Sequence, residues 1–164
     1  MLHAQREGRE MNSQFEANIV REELKRIVGQ IWDMTLQLGI VENLHPGALD
    51  ETEGQQLVHI DISGAWCGRL ELLFSKPLAK KVTQRMFALE QAEPKDDQLI
   101  DAIKEIANIA GGNLKCFLPE PCDLSLPAAS LDSQKFVNPE DANLALSFRS
   151  DGEEFRLFLQ KFQG

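Results

Sequence analysis

Cysteine is scarce in this chain of 164 residues, and the three present, Cys67, Cys116 and Cys122, are odd in number and lack a C-x-x-C spacing. A disulfide framework and a zinc site are both unexpected on that ground, and a reducing cytoplasm is the expected home. The three are read as small, largely buried residues without chemistry. Cations are in deficit too: 17 Lys and Arg stand against 26 Asp and Glu, a formal net charge of −9. Such a field repels phosphate backbones and anionic membranes, which excludes nucleic acid and lipid surfaces as partners. It attracts a basic patch on another protein, although acidity of this size also serves solubility alone. No run approaches the roughly 18 apolar residues that a membrane span needs, and the charged opening MLHAQREGREMNS lacks the apolar segment of a secretory signal. His3, His45 and His59 are scattered, and there is no G-x-S-x-G elbow, Ser–His pairing or glycine loop to cradle a phosphate.

What is present is ordinary globular material, 43% apolar and 26% charged, enough for one domain with a real core. Residues 1–12 are read as a disordered or non-native tail and 13–164 as a single domain. A helix is expected from Asn12 or Ser13, with Phe15, Ile19, Leu24, Ile27, Val28, Ile31, Trp32, Met34 and Leu38 recurring at three- and four-residue steps, and a stop near Gly39. Residues 42–54 read as a loop. LVHIDIS (57–63) and WCGRLELLFS (66–75) alternate as the strands of a hairpin. Pro77 suits the first turn of a further helix whose buried side is Leu78, Val82, Met86, Phe87 and Leu89. A polar break at 90–97 precedes a long helix over about 96–117. One strand follows at 122–130, then a loop at 132–141. ANLALSFRS (142–150) and EFRLFLQKF (154–162) form a closing hairpin around Asp151-Gly152. No crossovers that would build a parallel sheet are present, so the fold class is α+β, a largely antiparallel sheet with long helices packed on it. Both halves run from a long helix into strands, the outline of a pseudo-repeat.

The stretch DAIKEIANIAGGN, 101–113, carries the chemistry. On a helical wheel with Asp101 at zero, Glu105 falls near about 40°, Asn108 near about −20° and Gly112 near about 20°, one narrow stripe. Leu99, Ile103, Ile106, Ala107 and Ala110 lie opposite as the buried face. A solvated helix face is the bland explanation. Against it, Asn is a poor helix-interior residue, each glycine costs roughly 1 kcal/mol relative to Ala within a helix, and no cation on the stripe pairs with its carboxylates. Gly112 leaves room for another backbone, whereas Gly111-Gly112 taken alone reads as a helix end or kink, and Asn113 is expected to turn inward or cap. Glu105 and Asn108 have no base or nucleophile beside them, so they act on something that a partner brings. A rival reading makes Asp97, Asp101 and Glu105 a hard-cation site, for which ligands without His or Cys would suit only weak binding.

Asp101, Glu105 and Asn108 in D-x-x-x-E-x-x-N, followed by Gly111-Gly112-Asn113, resemble the signature of the CheC/CheX/FliY chemotaxis phosphatases, and the single copy in the second half resembles the CheX branch. The resemblance spans about residues 14–162. It implies a CheC-like fold and a cytoplasmic phosphatase acting on the aspartyl phosphate of a CheY-like receiver-domain response regulator. Asn108 would orient the attacking water and Glu105 would pair with the regulator's lysine, with Gly112 making room for the partner and Asp101 either helping to dock it or standing as the helix's solvated acid. Mg²⁺ would come with the partner; no cofactor or metal is expected on this chain. A homodimer through sheet edges is implied as well, and the alternative function is a non-catalytic adaptor that binds a regulator or flagellar-switch component through the same helix. Gln30 and Asp33 stand in the first half where Glu105 and Asn108 stand in the second; a carboxylate at Asp33 would repel a phosphoryl group, so that half is expected to be inactive. The family's proline beyond the Asn corresponds to Pro127.

Overall fold

The computed structural model describes residues 2–49 and 54–163, without the side chains of 4–15. Three helices, α1 (Leu2–Gln30), α2 (Lys76–Phe87) and α3 (Asp96–Lys115), lie against a seven-stranded sheet in which every pairing is antiparallel. Its strands are β1 (Val41–Glu42), β2 (Gln55–Gly64), β3 (Gly68–Phe74), β4 (Cys122–Leu124), β5 (Ala128–Ser133), β6 (Leu144–Ser150) and β7 (Glu153–Lys161). They are ordered β1-β6-β7-β3-β2-β4, with β5 alongside β4 on the same edge of β2. Among the described residues no helix is long and apolar enough to cross a membrane.

That order makes the pseudo-repeat visible. Each half contributes a long helix, a hairpin (β2–β3 or β6–β7) and short strand material (β1, or β4 with β5). The hairpins meet at the β3–β7 pair in the middle of the sheet. The short strands cross over: β1 pairs with β6 of the second half, and β4 and β5 pair with β2 of the first. The closing hairpin turns through Asp151 (φ 54°) and Gly152 (φ 76°), the left-handed pair that a two-residue connection between twisted strands requires.

Strand alternation sends Val58, Ile60, Ile62, Leu70, Leu72, Phe74, Leu146, Phe155 and Leu157 to the helix side, where they join Leu24, Ile27, Trp32, Val82, Ile103 and Ile106 in one core. Trp32 is its largest piece. The indole is fully buried between Phe155 (ring centroids 4.6 Å apart) and Phe74 (6.5 Å). Its Nε1 donates to Ser150 Oγ at 2.9 Å, and that hydroxyl donates to the Gly39 carbonyl at 2.7 Å, so no polar atom is left bare in the apolar interior. The opposite face is covered in part by loops: Leu57, Leu73 and Phe158 pack under Leu49, Phe136 and Ala142.

Several boundaries differ from the sequence reading. Helix α1 begins at Leu2, so the segment read as a tail is wound into the first helix; it has one glycine, no proline and many good helix formers. The helix does not run on to Gly39: Ile31–Leu36 loosen into a π-helix, and Gln37 takes the left-handed stop at φ 53°. The segment read as a loop from 42 holds the end of β1, and its residues 50–53 lie outside the description. The single strand expected at 122–130 is two, parted at 125–127, where Pro127 removes a backbone donor. The strand β5 then continues through 133 into the expected loop. Cys122 is buried, but Cys67 and Cys116 are exposed, against the expectation for all three; all are free thiols.

Candidate functional site

Helix α3 is set up at both ends. Asp96 and Asp97 occupy its first turn and Lys115 its last, matching the helix dipole, and the Lys95 backbone N–H donates to Gln98 Oε1 at 2.9 Å. Its buried face comprises Leu99, Ala102, Ile103, Ile106, Ala107, Ala110, Gly111 and Leu114. With that side fixed by burial, Asp101, Glu105, Asn108 and Gly112 are all exposed on the other. The helix continues through the two glycines to Lys115, so they do not end it. Their roles separate by face. A Cβ on Gly111 would lie 3.0 Å from Ile60 Cδ1, so its bareness lets α3 settle on β2. A Cβ on Gly112 would meet nothing within 4 Å. Asn113 stays exposed instead of turning inward, its amide donating to the Ile109 carbonyl at 2.8 Å, four residues back.

The Asp101, Glu105 and Asn108 side chains line a groove of about 450 Å³ with Lys104 and with Met86 and Phe87 at the end of α2. Gly112 is not part of that lining; it continues the same face one turn on. None of Asp101, Glu105 or Asn108 makes a side-chain hydrogen bond or ion pair among the described residues, so one carboxylate–amide pair three residues apart is left unengaged at the groove. Asp97, Asp101 and Glu105 do not form a cation site: among the described residues no three His, Cys, Asp or Glu side chains cluster so as to hold a metal.

Phe87, expected on the buried side of α2, is 44% exposed and forms part of the groove wall. The buried residues of α2 are Leu78, Ala79, Val82 and Thr83, and Ala88 stops the helix at φ 50°. Phe87 falls about 110° from the centre of that buried arc, a displacement that a wheel drawn on Leu78 and Val82 would have revealed. Lys104, which the stripe did not include, lies about 60° off Asp101, at the stripe's margin. In the first half, Gln30 and Asp33 are exposed but flank the start of the π-helix, so they do not repeat the regular helical spacing of Glu105 and Asn108.

Away from the groove, a group of titratable side chains with shifted pKa values lies on the opposite sheet face. Burial raises the carboxyl pKa of Glu71 above its ordinary value, partly opposed by the Val137 N–H, which donates to it at 2.7 Å, and by Arg69. Asp61 is held below the usual carboxylate range by the Arg69 guanidinium, which donates at 2.7 and 3.2 Å. Half-buried His59 stays neutral more readily than a free imidazole, chiefly through desolvation and then through Arg69.

The family profile of the chemotaxis phosphatase CheX matches residues 57–146. Among curated proteins no sequence matches the chain. Among solved structures, the chain is similar to the chemotaxis protein CheX from Vibrio vulnificus at 17% identity and TM-score 0.72, covering 87% of this chain and 96% of that one. It is similar to CheX from Desulfovibrio desulfuricans at 14% identity and TM-score 0.71, covering 87% and 99%. A third likeness, at 15% identity and TM-score 0.66 over 87% and 97%, is to the CheX of Borrelia burgdorferi in a complex of CheX, CheY, BeF₃ and Mg. At these identities the likenesses establish the fold, which is the CheC-like α+β arrangement expected from the sequence.

Proposed function

The chain belongs to the family of the chemotaxis phosphatase CheX, and from that membership we propose that it binds a phosphorylated receiver-domain response regulator and accelerates loss of the aspartyl phosphoryl group. One observation carries the reading: Glu105 and Asn108 stand three residues apart on the exposed face of α3, at one groove, with no partner of their own among the described residues. In the complex, the Asn108 amide enters the regulator's acidic pocket, and its carbonyl oxygen accepts a hydrogen bond from a water held in line with the phosphorus. An amide suits that task because it orients water without bringing negative charge to a phosphoryl group. Glu105 pairs with the regulator's lysine and sets the docking register, and Mg²⁺ belongs to the regulator. Catalysis is then positioning, of the kind supplied by the water-orienting glutamine of GTPases. Asp101 and Gly112 contribute to docking, the first by charge and the second by leaving space. The relative from Borrelia burgdorferi, solved with CheY, supports a partner of this class.

The same reading places the protein in the cytoplasm as a homodimer paired through a sheet edge. The ends of the sheet, β1 on one side and β4 with β5 on the other, are where such a pairing would be made.

The test is the decay of a Mg²⁺-loaded, phosphorylated receiver domain, followed alone, with the wild-type chain and with Asn108→Ala. Acceleration that disappears in the variant is the expected result. Binding without acceleration would leave a non-catalytic adaptor, and acceleration that survives Asn108→Ala would remove the water-positioning mechanism.

A further inference from the structure

Lys104 has no role in the chemistry above, and its surroundings give it one. It is the one cation among the groove's lining residues. Asp101 lies three residues before it and Glu105 directly after it, yet Lys104 forms no ion pair or hydrogen bond with either among the described residues. Half-buried in the groove that Met86 and Phe87 also line, the lysine is partly removed from water, where a charge acts more strongly than on an open surface. Asn108 follows Lys104 by four residues, so the two side chains are stacked neighbours on α3. Whatever meets the Asn108 amide is therefore within reach of the Lys104 ammonium on its four-carbon stem.

Charge gives this placement a use. A chain of net charge −9 has to approach a partner pocket built from carboxylates, and phosphorylating an aspartate takes that side chain from one negative charge to about two. The phosphorylated form is then the harder one for an acidic protein to approach, although it is the form that must be chosen. We propose that Lys104 reads the phosphoryl charge: its ammonium faces the non-bridging phosphoryl oxygens, or the carboxylate rim that they make more negative, and gives the groove its preference for the phosphorylated regulator. This inference rests on the phosphatase reading of the same groove and assigns within it the residue that discriminates phosphorylated from unphosphorylated partner.

Its test is a binding measurement with the full chain, using a receiver domain with Mg²⁺ alone and with Mg²⁺ and beryllofluoride as the phosphoryl mimic. Wild type should bind the beryllofluoride form more tightly. Lys104→Gln should lose about five- to tenfold of that preference, as expected for a partly desolvated charged contact, with affinity for the unloaded form unchanged. Lys104→Arg should retain the preference, since it keeps the charge. Equal weakening toward both forms would make Lys104 a general steering charge and overturn the proposal, as would a Lys104→Gln variant that discriminates like wild type. If wild type itself binds neither form, the phosphatase reading falls and the inference with it; if wild type binds and accelerates decay but Lys104→Gln behaves identically, only the inference falls.

Discussion

Asn108 follows Glu105 by three residues on the face of α3 opposite Ile103 and Ile106, so the burial of those two isoleucines is what turns the amide and the carboxylate outward together. Because the buried face is anchored independently of the stripe, the groove residues can be changed with little effect on the fold.

Asn108→Ala should reduce the rate of receiver dephosphorylation by on the order of 30- to 1,000-fold, corresponding to about 2–4 kcal/mol for one positioning group. Affinity for the beryllofluoride-loaded receiver should change little, which separates a lost water-orienting role from lost docking. Titration calorimetry beside the decay assay gives both numbers.

Phe87→Ala should act the other way, raising the half-saturating receiver concentration with little change in the maximal rate. An aromatic side chain 44% exposed at the groove is the kind of anchor that interfaces bury, and its truncation typically costs about 1–2 kcal/mol. Thermal denaturation should be nearly unaltered, because the ring is not part of the core.

The two glycines should respond oppositely. Gly112→Ala adds a methyl in open space and should stabilise the fold by up to about 1 kcal/mol through helix propensity, while lowering receiver affinity if a partner backbone approaches there. Gly111→Ala must push Ile60 Cδ1 away from 3.0 Å and should gain less or destabilise. Chemical denaturation of the two variants, with receiver affinity for the first, measures the contrast.

Glu71→Gln should flatten part of the pH dependence of stability. The native pKa of Glu71 is raised, so the folded state holds its proton more tightly than the unfolded chain does. Its contribution is fully present below the ordinary value of 4.5 and is lost as pH rises through the native value. Relative to wild type, the Gln variant should therefore be more stable at pH 7 than at pH 4, read as the shift in denaturation midpoint at each pH. The opposite order would mean that Arg69 and the Val137 N–H outweigh burial.

Period-two and period-3.6 patterns were enough to read β2, β3, β6, β7, α2 and α3, because each has one face committed to the core. Pro77 marks the start of α2, and Asp151-Gly152 the closing turn, through local backbone chemistry alone, while Ser75, read as the end of a strand, caps the helix. Strand β1 was not legible: two residues carry no periodicity, and Val41–Glu42 become a strand only because β6 offers an edge. The break between β4 and β5 falls opposite residues 60–61, in the middle of β2, at Pro127. At the site, Glu105 and Asn108 could be recognised because their spacing is local to one helix. Phe87 joins them through the packing of α2 on α3, which no single window of sequence contains, whereas Lys104 lies on α3 itself at the margin of the same stripe.

The π-helix at Ile31–Leu36 bears on the half of the molecule that is expected to be inactive. Hydrogen bonds that span five residues widen the coil and alter its pitch, so an i, i+3 pair that crosses into it no longer subtends the angle it would on a regular helix. Gln30 and Asp33 straddle that change. Exchanging them for Glu and Asn would restore the letters of the motif without its geometry, and the double variant should stay a one-centre protein. The difference between the halves is thus held in the backbone as well as in the two side chains, and a second centre would require removing the extra turn width before replacing the residues.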